Sequence, residues 1–208
     1  RTIPYALANR AVEGDTVLVW EGTYPEAVTL RASIVISGAG ATRTFIDGEG
    51  VRGPLVSASG PTVGPSTVLR GVTVRRGLAA NGGGIYIANG ASPLIENCVV
   101  SENEASSYGG GLYVNGTSAL TLRDTIVISN TATRAGGGMY QASTGGSLLV
   151  LFGGRFEGLH DALRGHGQVV ELLADRLLDR QGEGRRRGIE DQLARALVVQ
   201  PADTHRAD

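Results

Sequence analysis

Gly82-Gly83-Gly84-Ile85-Tyr86, Gly109-Gly110-Gly111-Leu112-Tyr113 and Gly136-Gly137-Gly138-Met139-Tyr140 are three copies of one pattern, a glycine triplet followed by an apolar residue and a tyrosine. Successive copies are 27 residues apart. The chain between them keeps register: Val99-Val100-Ser101-Glu102-Asn103 stands 27 residues before Ile126-Val127-Ile128-Ser129-Asn130, and Val72-Thr73-Val74 is placed on the same ladder. A fixed period of this size marks a solenoid, in which each repeat is one coil stacked on the next. Its apolar runs are short and β-branched, as at Val68-Leu69, Val99-Val100 and Ile126–Ile128, and Gly, Asn, Ser or Thr bound them, which reads as strands and turns. No ten-residue stretch of 82–140 has helical spacing.

At ~3.3 Å per residue, one coil holds three short strands and three turns. Coils stacked at ~4.8 Å pair each strand in parallel with its equivalent one coil away. The predicted fold is all-β, a right-handed parallel β-helix, its hand following from the sterics of parallel crossovers. Leucine-rich repeats fit worse: their asparagine follows the last leucine of the ladder by three residues, whereas Asn130 follows Ile128 by two. Calcium-binding nonapeptides need Gly-Gly-x-Gly-x-Asp every nine residues, but here the glycines come once per coil and no Asp follows them, so no calcium is inferred.

The sequence has 208 residues, 41% of them apolar, enough for one continuous core. Glycine, at 32 residues, is about twice as frequent as average, as many tight turns require. A formal charge of −1 gives no electrostatic case for nucleic acid or an anionic membrane. The single cysteine, Cys98, rules out an internal disulfide and reads as a buried, inert thiol. No run of ~20 apolar residues is present, so no membrane insertion by this segment is expected. The chain opens on Arg1 and is read as a monomeric module of a longer one.

The glycine triplet plus apolar residue, with apolar-x-x-Asn upstream (Val100-Ser101-Glu102-Asn103 and Val127-Ile128-Ser129-Asn130), resembles the repeats of polymorphic outer-membrane proteins and, more widely, of pectate-lyase-like β-helix repeat proteins of bacterial surfaces. The family's usual Phe before x-x-Asn is Val here. The run Gly14-Asp15-Thr16-Val17-Leu18-Val19, Gly22-Thr23-Tyr24, Val28-Thr29-Leu30 and Ile34-Val35-Ile36-Ser37-Gly38-Ala39-Gly40 is similar to the family's N-terminal coil. The resemblance covers roughly residues 2–146. It implies an extracellular or cell-surface location and a role in adhesion or polysaccharide binding. The alternatives it leaves are a lyase or glycoside hydrolase of the pectate-lyase-like class and a purely structural stalk, because this fold hosts many activities.

Ile3, Leu7 and Ala11, with Ala6 beside them, lie at helical spacing and predict an amphipathic cap helix within 1–14. The β-helix is expected over 15–146, with strands at 16–20, 27–30, 33–37, 44–47 and 54–57 and Gly22-Thr23-Tyr24-Pro25 separating the first two. Gly48-Glu49-Gly50-Val51-Arg52-Gly53 matches a dinucleotide glycine pattern, but Pro54 and a short apolar run follow instead of a helix, so these are turn glycines. Residues 147–152 read as one more strand. Residues 147–190 read as decayed coils, Val170 and Leu172 falling on Leu120 and Leu122, or else as a helical cap with a helix from Val169. Residues 191–208 read as a helix remnant and a disordered tail.

Side chains 27 apart stack on neighbouring coils, so columns of chemistry can be read directly. Tyr86, Tyr113 and Tyr140 form an outward aromatic ladder opposite inward Ile85, Leu112 and Met139; the rings either stack on one another and stabilise the solenoid or offer their faces to sugars, which makes them the candidate polysaccharide-binding residues. Asn103 over Asn130 is a structural amide ladder, and Glu96 over Arg123 an exposed ion pair. Glycoside hydrolysis needs two carboxylates about 5–10 Å apart. The acids of 68–140 are Glu96, Glu102, Glu104 and Asp124, and no two share a column, so no catalytic residue is assigned. Glu102 with Glu104, and Asp47 with Glu49 above Glu21, are the remaining carboxylate groupings. The aspartate motifs of polygalacturonases and the Gln/Asp/Arg motifs of pectin esterases are not visible. His160, Asp161 and His166 make a mixed polar cluster, but two histidines six apart without a third ligand do not specify zinc, and no metal or cofactor is expected.

Overall fold

The computed structural model describes residues 2–142, 149–152, 155–156 and 170–173. Among them, parallel strands stack into four sheets that run along one axis. The first holds Thr16–Val19, Val35–Gly38, Val68–Arg70, Leu94–Glu96, Leu120–Arg123, Leu149–Phe152 and Val170–Leu173, each paired with the next. The second holds Gly22–Tyr24, Thr44–Asp47, Thr73–Arg75, Val99–Ser101, Ile126–Ile128 and Arg155–Phe156. The third holds Val28–Thr29, Val56–Ser59, Ile85–Ala88, Leu112–Asn115 and Met139–Ala142. The fold is the right-handed parallel β-helix expected, with one short helix at its start.

Inward side chains form unbroken files. Ile36, Leu69, Ile95 and Leu122 stack from the first sheet, Ile46, Val74, Val100 and Val127 from the second, and Val28, Val56, Ile85, Leu112 and Met139 from the third. All are buried. Burying each such side chain stabilises the fold by about 1.5–3 kcal/mol, so the three files are the core. Helix Ile3–Asn9 plugs the open end of that core with Ile3 and Leu7. Thr2 caps it by accepting the Tyr5 N–H, and Pro4 sits in its first turn, where a missing N–H costs nothing.

Three expectations need correction. The coil has a fourth short sheet, Leu78–Asn81, Glu104–Tyr108 and Thr131–Ala132, between the second and third. Its residues are mostly polar or small and only Ala105 is fully buried, so it carries no apolar alternation to read. Gly22–Tyr24 is a strand rather than a separator, pairing in parallel with Thr44–Asp47. Thr73 and Val74 pair with Val99 and Val100, one residue off the 27-residue ladder, because the extra residue enters only later, at the register shift between Ala105 and Tyr108. Farther on, Leu120, Leu149 and Val170 share one column; apart from the strands given above, 147–190 lies outside the described residues, as does 191–208.

The corners explain the glycines. Gly71, Asn97 and Asp124 turn the chain from the first sheet to the second, and Arg76, Glu102 and Ser129 turn it out of the second, all at positive φ. Gly82, Gly109 and Gly136 do the same at the start of each triplet, with φ of 63°, 64° and 70°. The other two glycines answer to space. A Cβ on Gly83 would lie 2.3 Å from the Glu104 carbonyl oxygen, and one on Gly84 would lie 2.8 Å from Asn103 Nδ2. One coil on, a Cβ on Gly111 would meet Asn130 Nδ2 at 2.9 Å. Each of these triplets and the asparagine of the following coil are therefore one device: that amide fills the room the third glycine leaves.

Asn103 Nδ2 donates to the Val74 carbonyl (3.0 Å) and Asn103 Oδ1 accepts the Gly77 N–H (2.9 Å). Asn130 repeats this with the Val100 carbonyl and the Asn103 N–H. The two amides also bond each other at 2.9 Å. A Gly111→Ala chain should lose about 1–3 kcal/mol of stability through overpacking, read as a lower urea midpoint. Gly116→Ala, where nothing lies within 4 Å but φ is 62°, should lose about 1 kcal/mol through backbone strain alone.

Candidate functional site

The third sheet brings Tyr86, Tyr113 and Tyr140 into one outward file by direct register. Their rings stack on one another. Tyr86 and Tyr113 have centroids 5.3 Å apart at 9°, and Tyr113 and Tyr140 are 5.8 Å apart at 10°. Both faces of the Tyr113 ring are thus taken by its neighbours, and Tyr113 is only 9% exposed. The row points away from the coil with its rings stacked on one another, the first of the two arrangements the spacing allowed, and Tyr113 offers an edge and a hydroxyl rather than an open face. Burial pushes the Tyr113 phenol above its ordinary pKa, and the neighbouring phenols add to this. The hydroxyl stays protonated at neutral pH and can donate.

Two residues that sequence reading left out complete the cluster. Tyr108 ends a five-residue strand whose register shifts between Ala105 and Tyr108. The bulge swings its ring onto Tyr140, with centroids 4.5 Å apart and tilted by 34°. Arg134 lies over the Tyr108 ring at 5.7 Å and donates to its hydroxyl at 3.5 Å. At the other end, Asn115 Nδ2 donates to the Tyr86 hydroxyl at 3.5 Å. Tyr108 falls outside the 27-residue tyrosine column, so periodicity alone could not have found it. A tyrosine directly before a glycine triplet was the available signal.

The carboxylates are committed elsewhere. Asp47 is fully buried at the end of a second-sheet strand, with Arg75 as its register partner one coil on. Its Oδ1 accepts from the Glu49 N–H (3.1 Å) and Arg76 Nε (2.9 Å), and its Oδ2 from Arg75 Nε (2.8 Å) and Arg76 Nη2 (2.5 Å). Arg75 also lies over the Phe45 ring at 4.2 Å. Burial alone would raise the Asp47 pKa, but the bonds from Arg76, Arg75 and the Glu49 N–H outweigh it and hold the carboxyl below its usual range. Asp47 is therefore ionised and saturated at neutral pH, a staple between coils rather than a proton donor.

Glu49 meets the same staple through Arg76 at 3.4 Å, but Glu21 does not lie beneath it. Glu21 faces Arg43 at 4.0 Å, because Thr44–Asp47 aligns with Gly22–Tyr24 and so sets Arg43 over Glu21. The Gly48–Gly53 pattern is a turn: a Cβ on Gly48 would strike the Arg76 carbonyl at 2.0 Å, and Gly50 and Gly53 have positive φ. Glu96 bonds Arg123 at 3.2 Å and also faces Arg70 at 3.8 Å, a ladder over three coils rather than one pair. Glu102 and Glu104 flank the buried Asn103, both exposed. Cys98 is buried, its thiol pushed up to about 12 by desolvation, and it donates to backbone carbonyls. No group of three His, Cys, Asp or Glu side chains among the described residues could hold a metal ion. His160, Asp161 and His166 lie outside the described residues.

The Asp47 staple fixes a pH dependence. Its folded pKa lies below the unfolded value of about 3.9, so its stabilisation is complete above that value and is lost as pH falls through the folded one. Asp47→Asn should cost about 1–3 kcal/mol at pH 6, less than a wholly buried pair because Arg75 and Arg76 are partly exposed. The gap between parent and variant urea midpoints should narrow as the pH is taken to about 2.

The comparisons follow the fold. Residues 54–152 match the family model described as right handed beta helix region. The sequence matches no curated protein. Among solved structures, a pectin methylesterase from carrot aligns with 16% identity over 77% of this chain and a TM-score of 0.45. The chain spans 61% of that enzyme's length. With its parallel strands stacked in continuous register and residues 54–152 matching that model, the chain folds as a right-handed parallel β-helix.

Proposed function

We propose that the chain is the β-helical module of a secreted or cell-surface protein and binds polysaccharide along its third sheet. The row of Tyr86, Tyr113 and Tyr140, closed at one end by Tyr108 and Arg134, carries this reading. A solenoid repeats its surface once per coil, at ~4.8 Å. An extended glycan laid along the axis advances by about one sugar ring per coil, so one hydroxyl edge can meet each ring in turn. The stacked rings cannot rotate freely, so little side-chain entropy is lost when they bind. The backbone behind them is held by inter-coil hydrogen bonds, which makes the row a rigid ruler rather than an adaptable pocket.

The enzymatic alternative finds less support among the described residues. Asp47 is saturated by two arginines and Glu96 is shared by two more. Asp47, held below the usual carboxylate range, is not poised to exchange a proton at neutral pH. The reading is tested by affinity electrophoresis through gels cast with acidic or neutral polysaccharides. Tyr86→Phe and Tyr113→Phe keep the rings stacked and remove only hydroxyls. Each should weaken retention by roughly three- to tenfold, the worth of one hydrogen bond, with the thermal midpoint unchanged. A parent that is not retained by any of the gels, or variants retained as well as the parent, would remove the proposal.

A further inference from the structure

At the N-terminal end of the solenoid a groove of about 410 Å³ lies between helix Ile3–Asn9 and strand Val28–Thr29. Pro4, Leu7 and Ala8 form one wall, and Ala27, Thr29 and Arg31 the other. Val28–Thr29 is the first strand of the third sheet, and among the described residues it pairs on one side only, with Val56–Ser59. The Val28 N–H donates to the Leu55 carbonyl at 2.7 Å and the Leu30 N–H to the Ser57 carbonyl at 2.8 Å. Peptide groups along a strand alternate in direction, so those of Ala27 and Thr29 point away from that neighbour. These are the residues that line the groove. Backbone donors and acceptors left at a sheet edge are completed by another strand.

The helix decides what can reach this edge. Ile3 and Leu7 seat it across the end of the core. A helix is ~10–12 Å across, whereas adjacent strands sit ~4.8 Å apart. A second solenoid stacked on this end would collide with it, but one extended chain lying beside Ala27 and Thr29 would not. Arg31 adds a charge preference. One of its N–H groups donates to the Leu7 carbonyl, and no carboxylate among the described residues forms an ion pair with it. Its remaining donors stand at the groove for an acidic group.

We infer that this groove is a docking site for an extended peptide, which adds as a strand to the Ala27–Thr29 edge. Its small apolar side chains lie against Pro4, Leu7 and Ala8, and an acidic side chain meets Arg31. The site is at the opposite end of the module from the Tyr108–Tyr140 contact and is independent of polysaccharide binding.

A fluorescein-labelled Thr-Val-Thr-Val-Asp peptide, titrated by anisotropy and by amide hydrogen exchange, tests it. Saturable binding is expected, with exchange of the Thr29 amide slowed by about tenfold or more and that of Val28, already bonded, little changed. Methylating alternate peptide nitrogens should weaken binding by about tenfold in one register and not in the other. Ala8→Arg, at an exposed helical position that keeps the fold and its melting temperature, should block the groove, and Arg31→Gln should weaken the acidic peptide about tenfold but not its Asn counterpart. No saturable binding up to millimolar peptide would overturn the inference. So would binding that leaves Thr29 unprotected or ignores Ala8→Arg.

Discussion

Hydrogen bonding between consecutive coils is the constraint on which everything else rests. Each strand finds its backbone partners only in the coil before and the coil after, so every coil must climb by the same amount at all four sheets. The corners enforce this. Positive φ at Gly71, Asn97 and Asp124, at Arg76, Glu102 and Ser129, and at Gly82, Gly109 and Gly136 returns the chain to the same height at the same place in successive coils. A corner one residue longer would turn Ile95 or Val100 out of the core and send a polar neighbour in. The apolar files supply most of the stability, but they exist only because the corners keep them in register.

The candidate surface is a product of the same constraint. No single coil contains a site. Tyr86, Tyr113 and Tyr140 become a feature only when stacking sets them over one another, and stacking also removes their faces from solvent. The charged residues are drawn into the same logic. Arg70, Glu96 and Arg123 alternate in sign down the first sheet, and Asp47 is held between coils by Arg75 and Arg76. A carboxylate ringed by guanidinium groups strengthens the joint between coils and is withdrawn from chemistry.

Much of this was legible in the residues. The glycine-apolar-tyrosine period gave the inward file Ile85, Leu112 and Met139 and the tyrosine column, and the period-27 asparagines gave the amide ladder. Ile3 and Leu7 marked the cap helix by their spacing alone. What escaped has a physical reason in each case. The fourth sheet is backbone pairing between small and polar residues, which leaves no hydrophobic signature. Tyr108 stands in a column of its own with Asn81 and Ala135, neither of them aromatic, so a search for columns of like residues passes over it. The position of Glu21 depended on coils of unequal length: stacked neighbours are 33 residues apart at Ser37 and Arg70 but 27 at Glu96 and Arg123, so a ladder counted from the regular coils drifts in the early ones.

The asparagine ladder has a direction. Asn103 reaches back to Val74 and Gly77, and Asn130 reaches back to Val100 and Asn103. Each coil carries the clasp that fastens it to its predecessor and presents, in its own backbone, the eye for the clasp of its successor. A tandem duplication of such a unit therefore arrives with its fastening already made, and needs no compensating change in the coil it lands on. Lengthening by whole repeats is the easiest heritable change open to a chain of this kind.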